Sequence, residues 1–110
     1  MIAKTLLDFL SEKLTVPVVM EAPKQKTGYV LIDQTGSSRT NHIITTTLAL
    51  QSYEDSLYKA MLLNDDVKAA MDEFVELNEV IRVELQTDYN FTDTTTKQYR
   101  WQAVYLITHY

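Results

Sequence analysis

The chain contains no cysteine. Disulfides, zinc–thiolate sites and cysteine catalysis are therefore excluded, and the absence fits a reducing compartment. Glycine and proline are scarce, with two of each in 110 residues, which argues against linkers or disorder. No apolar run approaches the ~20 residues of a membrane-spanning helix. The opening residues Met1–Thr5 carry no signal-peptide apolar core and no small-residue cleavage site. Basic residues are the minority, 10 Lys and Arg against 15 Asp and Glu, for a net charge of -5 and a pI near 4.8. That balance argues against a dedicated nucleic-acid binder, which normally presents a basic face. The expected setting is the cytosol, or a particle assembled in it.

What is present suits one domain covering residues 1–110. Folding at this length buries roughly 60–70% of the unfolded surface, so neither disulfide nor metal is needed for stability. Ile2, Leu6, Leu7, Phe9, Leu10 and Leu14 recur at helical spacing, giving an amphipathic helix over about Ile2–Lys13. Val16–Met20 follows, with Pro17 stopping the helix and suiting an edge strand. Glu21–Gly28 reads as a polar loop in which Lys24 and Lys26 can be solvated or touch an acidic partner. Tyr29–Thr35 reads as a strand, Gly36–Thr40 as a turn and Asn41–Gln51 as the next strand, with Ile44, Thr46, Leu48 and Leu50 facing the core. Ser52 is a candidate helix cap ahead of Glu54 and Asp55. That helix is expected to end near Leu63, with Asn64 capping a second one to about Leu77. Leu57, Met61 and Leu62 form the first apolar stripe, and Val67, Ala70, Met71 and Phe74 the second.

The last third is the longest patterned stretch. Glu79–Tyr89 alternates Ile81, Val83, Leu85 and Tyr89 against Arg82, Glu84 and Gln86. Lys97–Tyr110 alternates Tyr99, Trp101, Ala103, Tyr105 and Ile107 against Gln98, Arg100, Gln102 and Thr108. A period of two over such lengths means antiparallel strands, each roughly 35–45 Å long at about 3.4 Å per residue. A C-terminal hairpin this long should project or meet another chain. The expected order is α-β-β-β-α(α)-β-β. The expected fold class is α+β, with four to five mostly antiparallel strands and helices packed on one face.

Chemistry-bearing patterns are few. His42 and His109 lack ligand-spaced partners. Ser37 or Ser38 with His42 and Asp33 could be drawn as a triad, but no nucleophile-elbow sequence supports it. Asp65, Asp66, Asp72, Glu73 and Glu76 lack calcium-loop spacing and read as a solvated helix face. Gly36 stands alone, without a phosphate-binding loop. No enzyme and no cofactor are expected, and the alternative of another class is a small-ligand binding module or enzyme with a pocket between sheet and helices. Arg39, Lys97 and Arg100 could line one edge and meet a neighbour's carboxylates. Tyr89, Tyr99, Tyr105 and Tyr110, with Trp101 among them, suit core packing alone or core packing plus an interface; the strand length favours the second.

Several stretches together carry a family likeness. They are Pro17-Val18, Glu21-x-Pro23, Gly36-Ser37-Ser38-Arg39-x-Asn41-His42-Ile43 and Gln51-Ser52-Tyr53-x-x-Ser56-Leu57-Tyr58. The longest is Thr87-Asp88-Tyr89-Asn90-Phe91-Thr92-Asp93-Thr94-Thr95-Thr96-Lys97-x-Tyr99-Arg100-Trp101-Gln102-Ala103. Over essentially its whole length the chain resembles small minor tail proteins of long-tailed phages and prophages of Gram-positive bacteria. It is similar in size and element order to tail terminator (tail completion) proteins, the lambda-type terminator among them.

The resemblance implies a structural virion protein, built in the host cytoplasm, that forms a ring, expected to be hexameric, at the head-proximal end of the tail. Such a ring stops tail-tube polymerisation and offers a surface to the head–tail connector, and DNA passes through it without specific binding. The alternative within this class is a stopper or tube component. By analogy with the family's loops, Ser37, Ser38, Arg39 and Asn41, together with Asn90, Phe91, Asp93, Lys97 and Arg100, are the interface candidates. The resemblance carries no catalytic, cofactor or metal residues, and no membrane partner.

Overall fold

Apolar residues at three-to-four spacing build the first helix, α1 (Ile2–Lys13), which buries Ile2, Ala3, Leu6 and Leu10 along one stripe. Leu14 then turns extended, three residues ahead of Pro17. The computed structural model describes residues 1–25 and 27–110; Lys26 lies outside them, and its expected companion Lys24 is exposed. The chain continues through β1 (Val18–Val19), β2 (Tyr29–Thr40), β3 (Ile43–Glu54), α2 (Leu57–Phe74), β4 (Val80–Asn90) and β5 (Tyr99–His109).

The strands form one sheet in the order β1-β2-β3-β5-β4. β1 runs parallel to β2, and the other neighbours pair antiparallel. The architecture is thus α+β, as expected, with a mostly antiparallel sheet. β3 and β4 both oppose β5, so they run parallel to each other, and α2 supplies the long crossover that such a pair requires.

Both helices cover the same face. Leu6 and Leu10 of α1 and Val67, Met71 and Phe74 of α2 meet Val30, Ile32, Leu48, Leu50, Ala103 and Ile107 of the sheet. Burying each large apolar side chain contributes about 1.5–3 kcal/mol. Phe9 closes the seam between the helices edge-on to Phe74, with centroids 5.2 Å apart.

Several expectations need correction. Gly36–Thr40 is strand, and the turn is Asn41-His42. Both turn residues have positive φ, 51° and 69°, as a two-residue hairpin loop matched to strand twist requires, and asparagine tolerates that region. The helices expected on either side of Asn64 are one continuous α2 of 18 residues. Its cap is Ser56, whose side chain accepts from Lys59 N at 3.2 Å, while Ser52 belongs to β3. Asn64 is buried inside the helix. Met61 and Leu62 are exposed, and Ala60 and Leu63 face the core in their place.

Another concerns alternation in β4, which is interrupted. Ile81 and Gln86 are extra residues at bulges. Val83 and Leu85 pair with the core-facing Ile107 and Tyr105. Tyr89 pairs with Gln102 and so lies on the opposite face. The C-terminal hairpin does not project as a unit either. β5 is an interior strand, and what the helices leave uncovered is the outer half of β2 with its turn into β3 (the β2–β3 arm), where every residue from Asp33 to Ile43 is exposed while β3 stays paired with β5 from Ile44 on.

Candidate functional site

The sheet face away from the helices carries a connected set of polar and aromatic side chains. Arg100 Nη1 donates to the Tyr53 hydroxyl at 3.1 Å, and Tyr53 donates to Gln51 Oε1 at 2.8 Å. Gln51 Nε2 donates to Gln102 Oε1 at 2.7 Å, and Gln102 Nε2 donates to the Tyr89 hydroxyl. Tyr89 meets the Phe91 ring edge-on at 5.8 Å, and the Arg100 guanidinium lies 4.4 Å from the Phe91 centroid. The six side chains close a circuit over β3, β5 and β4. Tyr29 stacks on Tyr53 at 4.5 Å. Burial, then the neighbouring Tyr53, pushes the Tyr29 hydroxyl above its ordinary pKa.

Arg100 is the charged member of this circuit. Its Nε donates to the Phe91 carbonyl at 2.6 Å, and its plane rests between Phe91 and Tyr53. Among the described residues no carboxylate comes within ion-pair distance of it. A fixed, half-buried guanidinium without a bound acid can receive a carboxylate from another molecule.

The neighbouring link is an ordered continuation of the hairpin. Asp93 and Gln98 form a bridge, with Asp93 N donating to Gln98 O at 3.1 Å. Asp93 Oδ1 accepts from Thr95 N at 3.0 Å, the Asx pattern that closes such turns. That hydrogen bond, helped by Thr96, holds the Asp93 carboxyl below the ordinary carboxylate range. Asn90 Oδ1 accepts from Thr92 N, and Lys97 adopts φ 55° at the end of the turn.

The interface candidates therefore fall into two groups. Asn90, Phe91, Asp93, Lys97 and Arg100 gather at one end of the sheet. Ser37, Ser38, Arg39 and Asn41 lie on the β2–β3 arm at the other. Arg39 shares a rung with Ile44, and Asn90 shares one with Trp101 and Ser52. Eight residues of β3 separate those rungs, ~27 Å at 3.4 Å per residue. Arg39 thus does not line an edge with Lys97 and Arg100. Ser37 and Ser38 point to opposite faces of the arm, and neither meets His42 and Asp33 in triad geometry. The histidines differ: His42 is exposed at the turn, whereas His109 is buried and shares a 2.8 Å hydrogen bond with the Thr46 hydroxyl.

Two features lie outside the sequence expectations. No site role is expected for Gln51, Tyr53, Gln102 or Tyr29, although polar and aromatic residues alternating in two adjacent strands are the pattern of such a network. The other is the groove between α2 and β4, floored by Met71, Val83 and Tyr105 and flanked by Val75, Ile81 and Leu85. Burial, with Asp72 and Asp88 adding to it, pushes the Tyr105 hydroxyl up to about 12.

Beside that groove Asp88 joins three elements. It accepts from Asn64 Nδ2 at 2.8 Å and from the Trp101 indole, and pairs with Lys68 at 2.6 Å. Burial alone would raise its pKa, but the hydrogen bonds from Lys68, Trp101 and Asn64 outweigh that and hold the carboxyl below its ordinary range. Among the described residues no three metal-ligating side chains converge, and no helix is long and apolar enough to cross a membrane. Compared with known proteins, the chain matches no family model and no curated sequence.

Proposed function

We propose that this protein is a structural subunit of a phage tail. In this reading it is a terminator, or tail completion, protein that assembles into a ring on the tail tube, ends tube polymerisation and joins the tail to the head connector. The resemblance of the Gly36–Ile43 and Thr87–Ala103 stretches to minor tail proteins supports this reading. The observation that carries it is the β2–β3 arm. Eleven consecutive residues, Asp33 to Ile43, are exposed, yet all but the two turn residues and the bulge residue Thr35 are paired into strand. An ordered edge strand left uncovered by the helices is suited to contact with other subunits. The second group of candidates, around Arg100 and Phe91, offers a separate aromatic and cationic surface at the opposite end. A ring between two different partners requires such separate surfaces.

The assignment includes no catalytic residue and no cofactor. The partners are further copies of the chain, six to a closed ring, the tail-tube protein and the connector; DNA passes through the ring. The site of action is the virion tail, reached from the host cytoplasm. Deleting the gene from a producing phage tests the role. Abnormally long tails are the expected result. Tails of normal length beside unjoined heads would move the protein to the stopper role, and normal infectious particles would exclude both.

A further inference from the structure

The sheet has two free edges, and they match. β1 covers only Val30 and Leu31 of β2, so among the described residues Asp33–Thr40 has no strand neighbour on its outer side. β4 closes the other side of the sheet and is free along its length. Following the rungs across the sheet, Arg39 aligns with Ile44, His109 and Val80. Ser38 aligns with Thr45, Thr108 and Arg82, and Asp33 with Ala49, Val104 and Thr87. The free part of β2 and the stretch Val80–Thr87 therefore occupy the same levels of the sheet, whereas Tyr89 and Asn90 fall level with Leu31 and Val30, which β1 covers, so the match ends at Thr87.

We propose that copies of this chain join head-to-tail by edge pairing, with Asp33–Thr40 of one copy adding to Val80–Thr87 of the next. This rests on the reading of the protein as a ring subunit and specifies the joint. Strand direction agrees with it. β2 and β4 run oppositely within the sheet, so rotating a copy about an axis along the strands brings them together antiparallel. The joint is heterologous, using different edges of each subunit, and such joints close into rings.

Neither stretch contains proline or lysine, two of the devices that blunt an open edge, although each carries a bulge and charges of both signs. At matched rungs Ser38 meets Arg82, Gly36 meets Glu84 and Arg39 meets Val80, so no like charges are opposed. The bulge residues Thr35 and Gln86 fall one rung apart on the two edges, and bulges supply the curvature that a sheet needs to wrap around an axis.

Because the chain has no cysteine, introduced thiols are the only ones present. Ser38→Cys and Arg82→Cys both lie on the exposed, helix-free side. Purified singly, mixed, and treated with a short bismaleimide, alone and with tail-tube protein, they should yield covalent dimers containing one copy of each variant. The double variant should yield a ladder ending at the closed ring. Thermal melts of each variant confirm folding beforehand. Homodimers from either single variant, in yields matching the mixture, would show like-with-like edge pairing and overturn the proposal. Rings seen by native mass spectrometry without mixed cross-links would overturn edge pairing while leaving the ring intact. Neither rings nor cross-links under either condition would overturn both.

Discussion

Trp101 on β5 donates its indole N–H to the same oxygen of Asp88 that accepts the Asn64 amide. The other Asp88 oxygen holds Lys68 at 2.6 Å. One carboxylate thus ties the free-edge strand β4 to both its neighbour β5 and the covering helix α2. Little else anchors the far half of β4 to the helices, since Thr87 and Tyr89 face away from them.

Asp88→Asn keeps the shape but removes the charge and turns an amide donor toward Lys68 or Trp101. Hydrogen bonds to charged groups contribute about 1.5–3 kcal/mol, and a loss in that range is expected in urea unfolding. Trp101 is the only tryptophan, so its emission should shift in the folded variant.

The same carboxyl sets an acid dependence. Its folded pKa is depressed, so its contribution is complete above the ordinary aspartate value, about 3.9, and is lost as pH falls through the lower folded value. Lys68, raised chiefly by its hydrogen bond to Asp88, contributes below the ordinary lysine value and loses that contribution as pH rises through its folded one. Stability measured against pH should therefore fall more steeply below about pH 4 in the native protein than in Asp88→Asn.

Ser56, which caps α2, and Ser52, which the sequence alone offers as the cap, should behave oppositely. Ser56→Ala removes the hydroxyl that accepts from Lys59 N and should cost about 1 kcal/mol. Ser52 is fully buried, and its hydroxyl has no hydrogen-bond partner among the described residues. Ser52→Ala removes an unsatisfied polar group and should be neutral or stabilising. Paired thermal melts decide the matter, and a larger loss from Ser52→Ala would contradict the assignment of the cap.

Phe91 stands 38% exposed while contacting both Tyr89 and Arg100. Phe91→Ala should cost about 1–2 kcal/mol of stability through the lost aromatic and cation–π contacts. Assembly with tail-tube or connector protein should weaken by more than that. Asp93 is a poorer interface probe, because its carboxylate closes the turn. Asp93→Ala should loosen residues 93–98, read as faster amide exchange there.

The period-two pattern of Tyr99–Ile107 was legible because no bulge interrupts β5, so every second residue faces the core. β4 broke the same rule at Ile81 and Gln86, where one extra residue reverses the faces, and nothing in the local composition marks those positions. Gly36–Thr40 carries turn-forming residues but is strand, because pairing with the threonine-rich β3 overrides local preference. Asn64 carried a cap signal, but its side chain is instead committed to Asp88, a partner 24 residues away. The two groups of interface candidates could be named from the chain, but their separation to opposite ends could not. It follows from β5 lying between β3 and β4, an order that the sequence does not encode locally.

The most direct test of the account is tube growth. Purified tail-tube protein is polymerised with increasing amounts of this protein, and tube lengths are measured by electron microscopy. The account expects shorter tubes carrying a ring of density at one end, with the shortening lost in Phe91→Ala or in a chain whose edges cannot pair. Length distributions unchanged at all ratios, with bare tube ends, would contradict it.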